Sequence, residues 1–483
     1  MTDRTTESEF LKAVNNRINE NRTEMLSSLS KLISIPSVAV EGTEEKPFGE
    51  EVDRAYRLML QMGEECGFST FDADGYGGHI DYDGTEDGVI GIVGHLDVVP
   101  EGDGWDFEPY GGEIAEGYVQ GRGTMDDKGP VIASFYAMKA LKQCGFEPAK
   151  TVRLILCLDE ETNWKGMKYY LERTPDLPDA GFTPDGDFPV IRAEKGILTF
   201  DIIAKFPKSR GKGLELTSLT GGTVHNAVPD FAKAVVNNTA GGGYDLIRET
   251  VAGCKEKYGW DISCRGVGKS LEISVRGKSS HAAKPEQGVN AISILMDFLG
   301  RLTFLNDGIS DYVNFYNDRI GFDLHGERIG CAFADEDSGK LTFNAAVIDV
   351  DRNAAKLTVN IRYPVSCTGE QVYAGIMEVL DGYDYGIVKG RAQLPINLDA
   401  GSELVSTLMK AYRNHTGDLD SEPLVIGGGT YARAFDNVVA FGARFPGEPE
   451  LGHMKNEKIS ADNMVRLAQI YAEAVYELAK AED

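Results

Sequence analysis

The stretch 89-VIGIVGHLDVVPEG-102 puts an imidazole and a carboxylate, His95 and Asp97, just beyond the apolar run at 89–93. A short apolar run closed by glycine and proline predicts a buried strand. In extended chain, positions i and i+2 point to the same side, so His95 and Asp97 face one way. Ligands of open α/β sheets bind beyond the carboxyl ends of the strands, which is where this pair falls.

Working outward, helical periodicity runs over 9–32, ending before Pro36, and over 52–66, stopped by Gly67. After the loop 121-GRGTMDDKG-129, Pro130 suits a first helical position, and Val131, Phe135, Met138 and Leu141 form a buried stripe up to Gly145. The run 152-VRLILCL-158 reads as the next strand and ends at Asp159. This βαβ rhythm predicts an α/β domain with a mostly parallel sheet flanked by helices. From about Glu194 the texture changes to alternating segments such as 197-ILTFDIIAKF-206, 271-LEISVRG-277 and 356-KLTVNIRYPV-365, the pattern of antiparallel strands in an inserted α+β domain. Helix–strand alternation returns near Tyr373 and closes with the amphipathic run 463–480. The expected division is therefore 1–193 with 373–483 as one discontinuous domain and 194–372 as the insert. The similar turns 220-TGGTVHNAVPD-230 and 277-GKSSHAAKPEQG-288 suggest that the insert has two related halves.

With 483 residues, two domains are the default. Lys plus Arg number 49 and Asp plus Glu 76, a net charge of −27 that repels phosphate backbones and anionic membranes. No run reaches the ~18 apolar residues of a membrane span, and the start, MTDRTTESEFLKAV, lacks the pattern of a secretory signal. Seven scattered cysteines without a CxxC pair fit free thiols, so a cytoplasmic location is expected.

Other strand ends add to the opening pair. The segment 156-LCLDEETNWKG-166 brings Glu160 and Glu161, 121-GRGTMDDKGP-130 brings Asp126 and Asp127, 181-GFTPDGDFP-189 brings Asp185, and 451-LGHMKNE-457 brings His453. Taken singly, each has an ordinary explanation. A histidine after a strand is more often packing or surface, and Asp126–Asp127 would complement the dipole of the following helix. Acids and histidines recurring at several glycine-flanked strand ends argue instead for a metal cluster.

In this order, GHLDVVP, GRGTMDDKGP, DEET, PDGDFP, GGGTYAR and LGHMKNE resemble the cocatalytic di-zinc peptidases that include aminoacylases, carnosinases and bacterial dipeptidases. The segment 104-GWDFEPYGG-112 and the long insert are most similar to the bacterial Xaa-His or nonspecific dipeptidases of the V type.

The resemblance implies hydrolysis of dipeptides with a free amino terminus, with two zinc ions per chain and manganese or cobalt as substitutes. It implies that Asp126 bridges, that His95 and Asp185 hold one metal, and that Glu161 and His453 hold the other. Asp97 then aims the His95 ring, and Glu160 stays unligated as general base. In the insert, which becomes a lid, His281 polarises the scissile carbonyl, and Asn226 and Arg362 bind the substrate's C-terminal carboxylate. Alternation places Leu357, Val359, Ile361 and Tyr363 on one face and Arg362 on the other. The run GGGTYAR, with Gly429 in it, lends flexible backbone near the substrate; Arg433 is a further anion contact, and His225 has no assigned role. The partner implied is a small peptide, not nucleic acid or membrane. A self-sufficient monomer is expected, with a dimer as the alternative. An N-acyl-amino-acid deacylase or tripeptidase of the same family, or a non-catalytic zinc-binding scaffold, are the competing readings.

Overall fold

Residues 89–93 do form a strand, and it extends to the histidine. In the computed structural model, which describes residues 2–174, 176–208 and 210–481, the strand Val89–His95 is buried along its whole length. Thr151–Cys157 lies parallel on one side of it and Ala180–Thr183 parallel on the other. A strand covered on both faces has no use for polar alternation, which is why this one reads as an apolar run. Beyond Thr151–Cys157 the sheet continues antiparallel through Gly78–Tyr82 and Ser69–Asp72. Beyond Ala180–Thr183 it continues through the parallel strand Val438–Ala440 and then Ile191–Glu194. The fold is α/β, with a sheet that is parallel at its centre and antiparallel towards its edges.

The helices Lys128–Gln143 and Ala461–Ala479 pack on each other and on Val89–His95. Nearly every residue of 128–141 is buried, as an apolar helix enclosed on all sides requires. Each Leu, Ile, Phe or Met side chain buried there contributes roughly 1.5–3 kcal/mol. Pro130 is the third residue of its helix rather than the first, still within the turn whose N–H groups have no intrahelical partner. The periodicity over 9–32 resolves into two helices, Thr2–Glu20 and Arg22–Ile33, parted at Asn21. Asn21 keeps helical angles and bonds Gln143 through its side chain, so the apolar spacing runs on and hides the break. Among the described residues, no helix is long and apolar enough to cross a membrane.

The chain divides into two compact units. The first comprises Met1–Arg192, Leu398–Leu424 and Thr430–Asp483, and the second Ala193–Asn397 with Val425–Gly429. The second unit contains an eight-stranded antiparallel sheet. One half of it holds Asp261–Val267, Ser270–Arg276, Phe231–Asn238 and Leu214–Gly221, and the other Thr342–Val350, Ala354–Tyr363, Gly196–Lys205 and Gly386–Gln393. Residues 373–397, expected with the first domain, belong here, because Gly386–Gln393 pairs with Gly196–Lys205 and Gly369–Leu380 packs against the same strand. Helix–strand alternation occurs in both units, so it does not mark where one ends.

One polar group sits at the edge of the first unit's core. His79 shares a 2.8 Å hydrogen bond with the Tyr170 hydroxyl and lies beside the pair in which Arg153 grips both oxygens of Asp81, at 2.9 and 2.7 Å. Burial, and then the Arg153 charge, lower its pKa from 6.5 to about 3. The unfolded chain therefore takes up a proton near pH 6.5 that the folded one refuses, so stability held above pH 6.5 is lost as pH falls towards 3. His79→Gln cannot titrate, so its melting-temperature deficit against the unsubstituted protein should narrow between pH 7 and pH 4.5. A deficit that stays constant would mean that His79 is protonated inside the fold.

Candidate active site

Three parallel neighbours in one sheet end on the same edge, and each delivers acid or imidazole there. His95 is the last residue of its strand, Glu160 and Glu161 follow Thr151–Cys157, and Asp185 follows Ala180–Thr183. Asp126 comes from the loop before Lys128–Gln143, and His453 from the segment before Lys458–Ser460. All six lie in the first unit, and their ligand atoms form three overlapping groups, each within 4.8 Å: His95–Asp126–Asp185, His95–Glu160–Glu161 and Asp126–Glu161–His453.

His95 is 1% exposed, and its Nδ1 lies 3.0 Å from the backbone carbonyl of Asp97. That contact makes Nδ1 the donor and leaves the Nε2 lone pair turned towards the acids. Nε2 is 2.9 Å from Asp126 Oδ1 and 4.0 Å from Asp185 Oδ2. The other oxygen of Asp126 lies 3.0 Å from His453 Nε2, which is 2.6 Å from Glu161 Oε1. Asp126 thus offers one oxygen to each histidine.

Asp97 differs in detail from the expectation that its carboxylate aims the ring. Its carbonyl makes the closer contact, with carboxylate Oδ1 at 3.4 Å from Nδ1. The carboxylate mainly accepts the backbone N–H groups of Glu160 and Glu161, each at 3.1 Å. One residue therefore fixes both the imidazole and the turn that carries the two glutamates.

Charge is badly balanced here without cations. Burial, and then the charge of Asp126, push Asp185 up to about 7. Burial, with neighbouring carboxylates adding to it, also raises Glu160 and Glu161. Burial opposes charge on His453, but hydrogen bonds to Asp126 and Glu161 push it up to about 11. Asp126 is held well below the carboxylate range, in spite of burial, by its bonds to His453 and His95. Imidazole nitrogens and carboxylate oxygens are the donor set of zinc, and divalent cations among them would relieve the repulsion. The residues fit the metals that the sequence implies.

The remaining candidates divide between the units. Asn226, His281, Arg362 and Gly429 belong to the second. An antiparallel bridge between Ala227 and His281, with Ala282 N–H donating to the Asn226 carbonyl, sets Asn226 and His281 on adjacent segments. Arg362 stands on the polar face of its strand, while Leu357, Val359, Ile361 and Tyr363 enter the core. Its guanidinium donates to Asn360 Oδ1 at 3.1 Å and to the Gly427 carbonyl at 3.0 Å. Burial, and then the charges of Arg391 and Arg362, lower the pKa of His225. Arg433 sits in the short helix Tyr431–Ala434 of the first unit.

Sequence reasoning missed Arg122 and Glu457, a buried pair 2.6 Å apart whose contacts reach the Asp126 loop. Both lie inside quoted motifs, but charged residues among glycines read as solvated, and nothing in the spacing signals their burial.

Residues 91–477 match the family described as Peptidase family M20/M25/M40. The chain belongs to that family, and it is a peptidase. A relative from Staphylococcus epidermidis named "Putative dipeptidase" is 36% identical over 478 residues, covering 96% of this chain and 98% of its own. Another with that description from Bacillus subtilis is 36% identical, covering 95% and 97%. Among solved structures, the fold resembles a di-peptidase from Saccharomyces cerevisiae (TM-score 0.56, 15% identity, 98% of this chain and 99% of that one). It also resembles the aminoacylhistidine dipeptidase from Vibrio alginolyticus (TM-score 0.55, 16% identity, 95% and 97%).

Asp97→Asn tests the double duty of this carboxylate. An amide has one accepting oxygen, so its NH₂ would confront one of the two glutamate N–H groups. Metal affinity should fall ~10–100-fold, the usual cost of losing a group that orients metal ligands. Competition with a chromogenic chelator measures it, and unchanged affinity would show that the turn holds without Asp97.

Proposed function

We propose that the chain hydrolyses dipeptides bearing a free amino terminus, with two divalent metal ions, zinc by expectation, held by His95, Asp126 and Asp185 and by Asp126, Glu161 and His453. The observation that carries this reading is Asp126, whose two oxygens lie 2.9 and 3.0 Å from two different histidines. A carboxylate that presents one oxygen to each of two ligand groups has the arrangement that a bridging ligand needs. When bound, the metals would supply Lewis acidity to the scissile carbonyl and acidify water enough for it to lose a proton near neutrality.

The protein's own groups do the rest. Glu160 is half-buried in the same cluster, and desolvation first, then the charges of Glu161, Asp185 and Asp97, lift its pKa well above the ordinary value. A carboxylate raised in this way can take a proton from the attacking water and return it to the leaving amine. A passive metal scaffold would have no need of it. On the second unit, Arg362 and Asn226 suit a C-terminal carboxylate, and His281 suits a polarised carbonyl. Gly429 would contribute backbone and Arg433 a further anion contact. The family and the dipeptidase names of the full-length relatives support small peptides as substrates.

Removing metal with a chelator should abolish dipeptide hydrolysis, and zinc or manganese should restore it; full activity in metal-stripped protein would end this reading. Parallel assays on N-acetyl amino acids and tripeptides should run well below the dipeptide rate. Glu160→Gln should lower turnover by ~10²–10⁴-fold with metal content unchanged. Near-normal turnover in that variant would move the base elsewhere. Arg362→Ala should raise KM for dipeptides more than for dipeptide amides, which lack the C-terminal carboxylate. Equal damage to both would assign the arginine to the fold.

A further inference from the structure

Two segments of irregular backbone supply Asp126 and His453, and one buried side chain fastens them together. Glu457 is 0% exposed. Its Oε1 accepts the N–H groups of Met125 at 2.8 Å, Gly123 at 3.1 Å and Asp126 at 3.3 Å. Its Oε2 lies 2.6 Å from Arg122 Nη1, and its carbonyl accepts Gly121 N–H at 3.0 Å. Arg122, 2% exposed, donates to the Met454 carbonyl at 3.2 Å and to the Glu101 carbonyl at 3.4 Å, with its guanidinium 5.2 Å from the Trp105 ring. Each partner of the pair therefore reaches from one segment into the other.

Three backbone N–H groups converging on one carboxylate oxygen make charge-assisted bonds that fix the loop 123–126 against position 457. His453 stands four residues earlier in the same segment, at a left-handed φ of 61°. The clamp thus joins the backbone segments that carry Asp126 and His453.

We infer that Glu457, held by Arg122, is a positioning residue that sets the spacing of Asp126 and His453 and so governs metal retention at the Asp126–Glu161–His453 position. The inference rests on the di-metal reading proposed above. It also ranks the two metal positions. The clamp touches the segments of two of the three ligands at Asp126–Glu161–His453, but of only one, Asp126, at His95–Asp126–Asp185.

Chelator competition on the full chain, loaded with zinc, resolves the two affinities. Glu457→Gln keeps the volume and one accepting oxygen but turns an NH₂ towards Arg122. The weaker of its two affinities should fall at least tenfold relative to the other, and metal content after dialysis should drop towards one ion per chain. Adding Arg122→Met removes the opposed donor and should recover part of the loss. Asp81→Asn, which breaks the buried Arg153–Asp81 pair far from these loops in the sheet, serves as the structural control: its melting temperature should fall while the ratio of affinities holds. If Glu457→Gln retains both ions with unchanged affinities, or if Asp81→Asn alters the ratio equally, the positioning role is overturned. Unsubstituted protein that binds no metal would instead overturn the di-metal reading on which it rests.

Discussion

Parallel pairing is the constraint from which the site follows. Antiparallel neighbours send their ends to opposite edges of a sheet, whereas parallel ones bring every carboxyl end to the same edge. Because Thr151–Cys157, Val89–His95 and Ala180–Thr183 are parallel neighbours, their ends deliver Glu160, Glu161, His95 and Asp185 within reach of one another. Burial at that edge, with crowding of like charge added to it, raises the carboxyl groups of Asp185, Glu160 and Glu161.

A second layer of groups holds that crowd in place. The Asp97 carboxylate binds the backbone of the two glutamates, its carbonyl holds the His95 ring, and Glu457 binds the backbone of the Asp126 loop. In each case a rigid oxygen meets main-chain N–H or ring N–H, rather than the functional carboxylates themselves. The oxygens that would face metal or water are thereby left for chemistry.

The parts legible in the sequence were those with a local signature. A buried strand announces itself by an unbroken apolar run, so the strand ends that carry His95, Glu161 and Asp185 were legible, whereas their roles as ligands came only from the resemblance. The polar face of Ala354–Tyr363 followed in the same way from alternation. What escaped depends on distant partners. The donors of the Asp97 carboxylate's bonds lie 63 and 64 positions along the chain, and Glu457 meets Met125 across 332. The helix break at Asn21 was hidden because its partner, Gln143, is on another element. The end of the second unit was misread because a helix and strand after residue 369 look alike in either unit, and only pairing with Gly196–Lys205 decides where they belong.

The long sequence interval between Asp126 and His453 has a mechanical side. An ion bound by both would act as a reversible crosslink between two distant points of the polypeptide, with the whole second unit inside the loop that it closes. Such a staple disfavours the unfolded chain, because an open chain seldom brings two such distant points together. A ligand that binds only the folded form also adds stability in proportion to the logarithm of its concentration. Loss of the ion would therefore loosen the C-terminal stretch that leads into the helix Ala461–Ala479, and metal supply would set how long the protein survives proteolysis as well as whether it turns over substrate.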